Sequence, residues 1–398
     1  MIKPAMDERI RHIVKWAPPL SGMPVNRFKK YRHRRNMLFL MTLLSCLFLL
    51  SCENSLPGVD DVLPELDFSG KETQVVEKID TLREALRKEP GSAAQWGKLA
   101  MTLEVHDYQL AAIPCYKRAA ALDSADFRWP FFLGIIFSGI GQPEALDWFD
   151  RAQRINPDDA PLNVLHGQAL LNEGRPIEAA KRFENALVAD PANSHAALGL
   201  AQICLARNDL ACSNQQLLQA IAGNPQHGEA YGLLAEVYRR LGNPEAAEKA
   251  RQKATEFPGQ TRVHNPAYWA VIEEGVSAAW YQERGRTYLK SGNYPRAEAE
   301  FRSVLQLRPN AEDHNNLGIV LHNLKKYDEA IIQYRSAMSI NPGNPELFMN
   351  LANAHAAKGE NQRAVNMLRR ADQLARAANR TELYDPIQQL LETYEQRQ

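Results

Sequence analysis

The sequence predicts an all-α solenoid, a stack of repeated helix pairs, and three observations predict it. A small residue recurs at Ala100, Gly134, Gly167, Ala201, Ala235, Gly285, Gly318 and Ala352, at spacings of 34, 33, 34, 34, 50, 33 and 34 residues. Around these positions apolar and small side chains step by three and four, as in Ala330, Ile331, Tyr334, Ala337 and Met338, which is the period of an amphipathic helix. Turn chemistry punctuates the units. Gly141, Gly174, Gly242, Gly292 and Gly359 separate two helical runs, and Pro157, Pro191, Pro225, Pro309 and Pro342 follow the second run, where a missing N–H ends the hydrogen-bond ladder.

Taken from the N-terminus, the chain begins with a charge split that its formal net charge of zero conceals. Residues 1–36 carry ten Lys/Arg against Asp7 and Glu8, a net of +8, and the remainder carries 37 basic against 45 acidic side chains, a net of −8. Clustered Lys/Arg is what phosphate neutralisation requires, so the acidic remainder argues against nucleic acid as a partner. The apolar run Met37–Leu50 has 14 residues and no charge. That is short of the roughly 20 residues a bilayer span needs, and it suits the core of an export signal. The basic cluster Arg27, Lys29, Lys30, Arg32, Arg34 and Arg35 precedes it, as such signals require. The run closes on Leu49-Leu50-Ser51-Cys52, and Leu43-Leu44-Ser45-Cys46 repeats the pattern with only a short core before it. Leu49–Cys52 resembles the lipobox of bacterial lipoproteins. The resemblance implies that residues 1–52 are a basic region plus a removed signal, with translation starting at Met1 or at Met23, and that Cys52 carries a thioether-linked lipid. Glu53 after the cysteine implies the outer membrane of a bacterial envelope. The alternative is an uncleaved N-terminal helix that anchors a cytoplasmic adaptor or regulator.

Residues 53–73, with Pro57 and Pro64, read as an acidic linker. A first block of repeats, residues 74–259, holds a half unit around Ile79–Pro90 and five full units. The one long spacing equals a repeat plus 16 residues and falls at residues 260–277, a joint in which Asn265-Pro266 makes a sound helix start. Its aromatics Tyr268, Trp269, Trp280 and Tyr281 are either a binding patch or, more plainly, the seal between two blocks of helices. A second block of three units spans residues 278–378, and residues 379–398 read as a capping helix with a polar outer face.

Three units align from glycine to proline over 25 residues: Gly167–Pro191, Gly285–Pro309 and Gly318–Pro342. Gly318, Ala330, Tyr334, Ala337 and Pro342, with Gly167, Ala179, Phe183, Ala186 and Pro191, and with Gly285, Ala297, Phe301 and Pro309, resemble the signature of the tetratricopeptide repeat (TPR). The small residues imply close helix approach, with Gly318 facing Ala330. Ser213, Arg251 and Val304 depart from the signature. The resemblance implies a right-handed superhelix whose groove is lined by set positions of each first helix. Counting the small residue as the eighth position puts Asn316, Asn350 and Asn353 there, joined by Gln168, Gln202, Glu236, Arg239 and Arg240. Asparagine offers a donor and an acceptor, so such a row suits an extended peptide backbone. The mixed charges suit selection by complementary pairs. The partners implied are other proteins or peptides, with the membrane reached through the N-terminal lipid.

Catalytic patterns are lacking. The sequence has no HExxH, no phosphate-binding glycine loop and no GxSxG, and its ten histidines are scattered. No metal, cofactor or small-molecule substrate is expected. His355 stands where the repeat has a large apolar residue, so a packing role is expected. Cys204 and Cys212 lie on neighbouring helices of one pair, where they either bond in an oxidising compartment or serve as small buried side chains.

Overall fold

The computed structural model describes residues 58–63, 65–257, 263 and 265–397. The segment expected to be an export signal and Cys52, expected to carry the lipid, lie outside them. Among the described residues the secondary structure is helical throughout, and no helix is long and apolar enough to cross a membrane. The described helices fall into two compact units, one of residues 58–67 with 79–274 and one of residues 68–78 with 275–397.

The first unit opens with α1 (Val59–Val62), inside the stretch expected to be linker. Val59 and Leu63, four apart on one helical face, are both buried, and Asp60 between them pairs with Arg83 and Arg87 at 2.9 and 2.8 Å. Those arginines belong to α2 (Thr73–Lys88), whose first six residues group with the second unit. Five helix pairs follow: α3 (Ala93–Val105) with α4 (Gln109–Leu122), α5 (Arg128–Gly139) with α6 (Glu144–Ile155), and α7 (Ala160–Asn172) with α8 (Pro176–Ala189). The last two are α9 (Ser194–Ala206) with α10 (Leu210–Gly223) and α11 (Gly228–Arg240) with α12 (Pro244–Glu256). A 3₁₀ turn (Pro266–Tyr268) and the five-residue α13 (Trp269–Glu273) end the unit. The second unit holds α14 (Ala278–Lys290) with α15 (Tyr294–Leu307), α16 (Ala311–Asn323) with α17 (Tyr327–Ile340), and α18 (Pro345–Ala357) with α19 (Asn361–Ala377). After a 3₁₀ turn at Thr381–Leu383, α20 (Tyr384–Glu395) packs on α19.

Many of the helices start and stop at residues whose side chains favour it. Side chains of Ser92, Asp159, Asn193, Ser277, Asn310 and Asn344 accept a backbone N–H from the first turn of α3, α7, α9, α14, α16 and α18. The second helices α8, α10, α15 and α17 end two residues before Pro191, Pro225, Pro309 and Pro342. Between paired helices the chain takes a left-handed residue, with φ of 71° at Gly174 and 75° at Gly292. Asp107, Asn208 and Lys325 take that conformation in other pairs, at φ of 73°, 57° and 61°.

Small residues let the paired helices touch. A Cβ added to Gly318 would stand 2.5 Å from Cε1 of Tyr334, and one added to Gly134 would stand 2.6 Å from Cδ1 of Phe149. Gly318 thus lies against the Tyr334 ring, because the aromatic four residues beyond Ala330 on α17 reaches back over the preceding turn. The three departures from the signature are absorbed differently. Ser213 is buried and its hydroxyl donates to the Ala201 carbonyl at 3.1 Å. Val304 is buried in the core. Arg251 is exposed and pairs with Glu248, so α12 buries only Ala250. His355 is buried and hydrogen-bonds Glu360 at 2.6 Å, the packing role expected of it.

Cys204 and Cys212 are bonded to one another, with Cα atoms 5.8 Å apart, within the range a disulfide accepts. Both are half-buried. The alternative of two small buried thiols is set aside, because the turn between α9 and α10 brings the last turn of one helix against the first turn of the next.

Candidate functional site

The residues expected to line a groove lie on first helices of successive pairs, in the first unit along α7, α9 and α11. Gln168 is exposed and its amide reaches Asn172 one turn on, at 3.4 Å. Gln202 is half-buried and donates to Glu229 of α11 at 3.2 Å, tying two neighbouring first helices together. Glu236 accepts from Arg239 at 2.7 Å and from Arg240 at 2.6 Å, and these two guanidinium groups hold its carboxyl down at about 2. The three form one local cluster at the end of α11 with its charge largely balanced.

In the second unit Asn316 is half-buried on α16. Asn350 donates to Asn315 at 2.8 Å, and Asn353 accepts the Tyr394 hydroxyl at 2.8 Å from α20. Two of the three asparagines are therefore engaged within the chain. The last helix closes over the end of the row and leaves a cleft of about 400 Å³ lined by His322, Asn353, Ala356, Ala357, Leu390 and Tyr394 with Arg397.

The four joint aromatics do not form one patch within either unit. Trp280 and Tyr281 belong to the second unit. There Trp280 lies against Gly275, where an added Cβ would stand 2.5 Å from its Cγ. The Arg284 guanidinium sits 5.0 Å from the Tyr281 ring centre. Arg284 itself is buried, bonded to Glu300 at 2.8 Å and to the Gly275 carbonyl at 2.6 Å. A carboxylate from α2's flank joins this end: Glu72 accepts the N–H of Ala278 at 3.1 Å, at the start of α14 where the helix dipole favours negative charge. Both aromatics there are half-buried.

Tyr268 and Trp269 belong to the first unit, where the segment they lie on packs against α3. The Asn265 side chain caps the 3₁₀ turn by accepting the Tyr268 N–H at 3.2 Å, and Pro266 fixes its first position. Trp269 donates to Glu273 at 3.2 Å along its own helix. Tyr268 reaches outward: its hydroxyl donates to Glu104 at 2.8 Å, and its ring meets Phe132 edge-on with centres 6.1 Å apart. Glu104 is only 4% exposed, and its other oxygen accepts the Tyr116 hydroxyl at 2.7 Å. Burial raises the Glu104 carboxyl to about 7 against the pull of those two hydroxyls. Around it lie Tyr116, Trp129 and Phe132, with ring centres 5.5 to 6.4 Å apart.

Glu104, Tyr116 and Phe132 were not singled out in the sequence, yet a signal existed for two of them. Counting Ala100 as the eighth position of its unit places Glu104 at the twelfth, and counting Gly134 as eighth places Phe132 at the sixth, both groove positions. Among the described residues no group of three or more His, Cys, Asp or Glu stands where it would hold a metal ion.

Comparison with known proteins bears on this arrangement. Residues 164–211, 213–261 and 283–345 match one profile of the tetratricopeptide repeat, and residues 321–381 match a second. The human protein O-mannosyl-transferase TMTC1 is 26% identical over 222 residues, a match that covers 55% of this chain and 24% of that protein. The chain thus spans about a quarter of that relative's length. Among solved structures, YrrB, described as a TPR protein with an unusual peptide-binding site, is 18% identical, with a TM-score of 0.40 over 49% of this chain and 97% of that one. MamA from Desulfovibrio magneticus RS-1 is 18% identical, with a TM-score of 0.39 over 42% of this chain and 94% of that one. A tetratricopeptide repeat protein from Parabacteroides merdae is 16% identical, with a TM-score of 0.31 over 69% of this chain and 100% of that one.

Proposed function

The chain is a tetratricopeptide-repeat protein, and from that premise we propose a scaffold or assembly factor of a bacterial envelope, non-enzymatic and anchored by a lipid on Cys52. Such repeats are protein–protein interaction scaffolds: each helix pair buries one face on its neighbours and leaves the first-helix face for a partner. The observation that carries the reading is the polar row on α7, α9 and α11. Gln168, Gln202 and the Glu236–Arg239–Arg240 cluster offer donors, acceptors and paired charge along one series of helices. A partner peptide laid against that row finds backbone partners along its length, and the charge cluster selects among sequences.

The compartment rests on two supports. The run ending in Leu49-Leu50-Ser51-Cys52 has the form of a lipoprotein signal. The Cys204–Cys212 disulfide belongs to an oxidising space, which a reducing cytosol does not offer. The human relative carries an enzyme's name, but this chain spans only about a quarter of it, and we read the shared part as repeat scaffold.

Photo-crosslinking amino acids placed at Gln168 and Glu236 in cells test the groove. We expect discrete protein adducts from both, and none from Lys181, which is exposed on the second helix α8. Equal labelling from all three positions overturns a groove-directed scaffold. Intact mass of the chain from the membrane fraction tests the anchor: a mature protein beginning at Cys52 with a diacylglyceryl thioether supports it. A bare Cys52 with residues before Met37 retained favours the cytoplasmic adaptor.

A further inference from the structure

We propose that the face over the first two repeats is a binding site for a tyrosine-bearing peptide, with Glu104 receiving the phenol hydroxyl, and that residues 265–274 are its resident occupant in cis. This rests on the scaffold reading and names the chemistry of one part of its groove. Three observations support it, each from a different level of the structure.

First, Glu104 occupies a groove position of α3 yet is buried, in a place where an apolar side chain would complete the packing without a desolvation cost. A buried carboxylate needs hydrogen-bond donors. Tyr116 of the same repeat supplies one, and the other comes from Tyr268, 164 residues further along the chain. Second, the floor beneath Tyr268 is aromatic. Phe132 meets the ring edge-on, and Tyr116 and Trp129 extend the apolar surface beside it. Apolar walls around a single polar anchor are the usual make-up of a recognition pocket. Third, the occupant is locally preorganised. Asn265 and Pro266 set the turn, α13 has five residues, and Val271 is the only residue of 265–274 that is fully buried. A partner presenting Asn-Pro-x-Tyr followed by an aliphatic residue two or three positions on would make the same contacts.

The test uses the full chain and the free peptide NPAYWAVIEEG, residues 265–275, with a fluorescent label. In the chain carrying Tyr268→Ala and Val271→Ala the site is vacated, so anisotropy should show binding at least about tenfold tighter than to the unaltered chain, where the tethered copy competes at an effective concentration on the order of millimolar. At pH 8, where the Glu104 carboxyl has lost its proton, a peptide with phenylalanine in place of the tyrosine should bind the vacated chain roughly tenfold or more weakly, because a hydrogen bond to a charged acceptor is lost. Glu104→Leu in the vacated chain removes the acceptor and should erase most of that difference. Equal binding of the tyrosine and phenylalanine peptides, or no binding by a vacated chain of unchanged helicity, overturns the inference. If the double substitution unfolds the chain, the unaltered protein decides. Millimolar free peptide should speed hydrogen exchange of residues 266–274, and unchanged exchange overturns the proposal. Crosslinks at Gln168 and Glu236 report on the scaffold reading independently, so adducts there with no peptide effect at Glu104 remove this inference alone.

Discussion

Tyr268 donates its hydroxyl hydrogen to Glu104 over 2.8 Å and so closes the segment that follows the fifth helix pair onto the first. The contact gives the first unit a titratable group at its centre. Glu104 has its carboxyl raised from an ordinary 4.5 to about 7 by burial. Below pH 4.5 folded and unfolded chains both hold this proton. Between 4.5 and 7 the unfolded chain has lost it and the folded chain keeps it, so stability falls as pH rises through that window. Above 7 the full penalty applies, at most about 3 kcal/mol. Chemical denaturation at pH 5 and pH 8 should therefore give a more stable protein at pH 5. Glu104→Gln should flatten that slope, and a slope unchanged by the substitution would show that another group carries it.

The close approach of Gly318 to Tyr334 separates two glycines that look alike in sequence. Alanine at 318 gains about 1 kcal/mol of helix propensity but drives a Cβ into a buried ring, an overpacking cost of about 1–3 kcal/mol. Gly232, inside α11, has nothing within 4 Å of an added Cβ. Gly318→Ala should lower the urea midpoint and Gly232→Ala should raise it, the latter by up to about 1 kcal/mol. Opposite signs from one substitution type are what the packing requires, and equal shifts would contradict it.

The disulfide closes a short loop across the turn between α9 and α10, with eight residues of sequence separation. Loop-closure entropy for a ring of that size is worth about 2–3 kcal/mol. Adding dithiothreitol should destabilise the native protein by about that amount and leave Cys204→Ala combined with Cys212→Ala unaffected. Intact mass under non-reducing conditions should be lower than the fully reduced mass by two hydrogens.

The repeat architecture was legible in the sequence because every device behind it is local. Asn193, Asn310 and Asn344 cap within three residues, the prolines end the second helices, and the small residues recur in register with the pairs. Contacts between distant residues were not legible. The ladder read from Asn350 and Asn353 left out Asn315 and Tyr394, which engage them from a neighbouring repeat and from the last helix. The aromatics at Tyr268 and Trp269 were readable as a cluster with Trp280 and Tyr281, since sequence proximity groups them. The fold sends the first pair to α3 and the second to α14. Nothing in the local pattern says that Tyr268 returns to Glu104, because a hydrogen bond across 164 positions has no periodic trace. Residues 58–63 show the same limit: their acidic composition reads as linker, and only the burial of Val59 and Leu63 shows that they dock.

The last helix offers the most direct stability test of the second unit. A solenoid's final pair exposes an apolar face unless something covers it. Here α20 covers it: Ile387 is fully buried and Tyr394 nearly so, in a cluster with Phe348, Ala352, Leu368 and Ala371. Tyr394 also hydrogen-bonds Asn353, so one side chain fills the core and engages that asparagine. Ile387→Ala removes buried methyl and methylene groups and leaves a cavity, a loss of about 2–5 kcal/mol. Tyr394→Phe keeps the ring and deletes only the hydrogen bond, a loss of about 1 kcal/mol. Hydrogen exchange should locate the first effect in α18, α19 and α20, with the first unit unchanged. The second should leave exchange nearly as it was while freeing Asn353 to face the cleft. If Ile387→Ala leaves exchange in α19 at its original rate, α20 is an appendage and not the cap of the second unit.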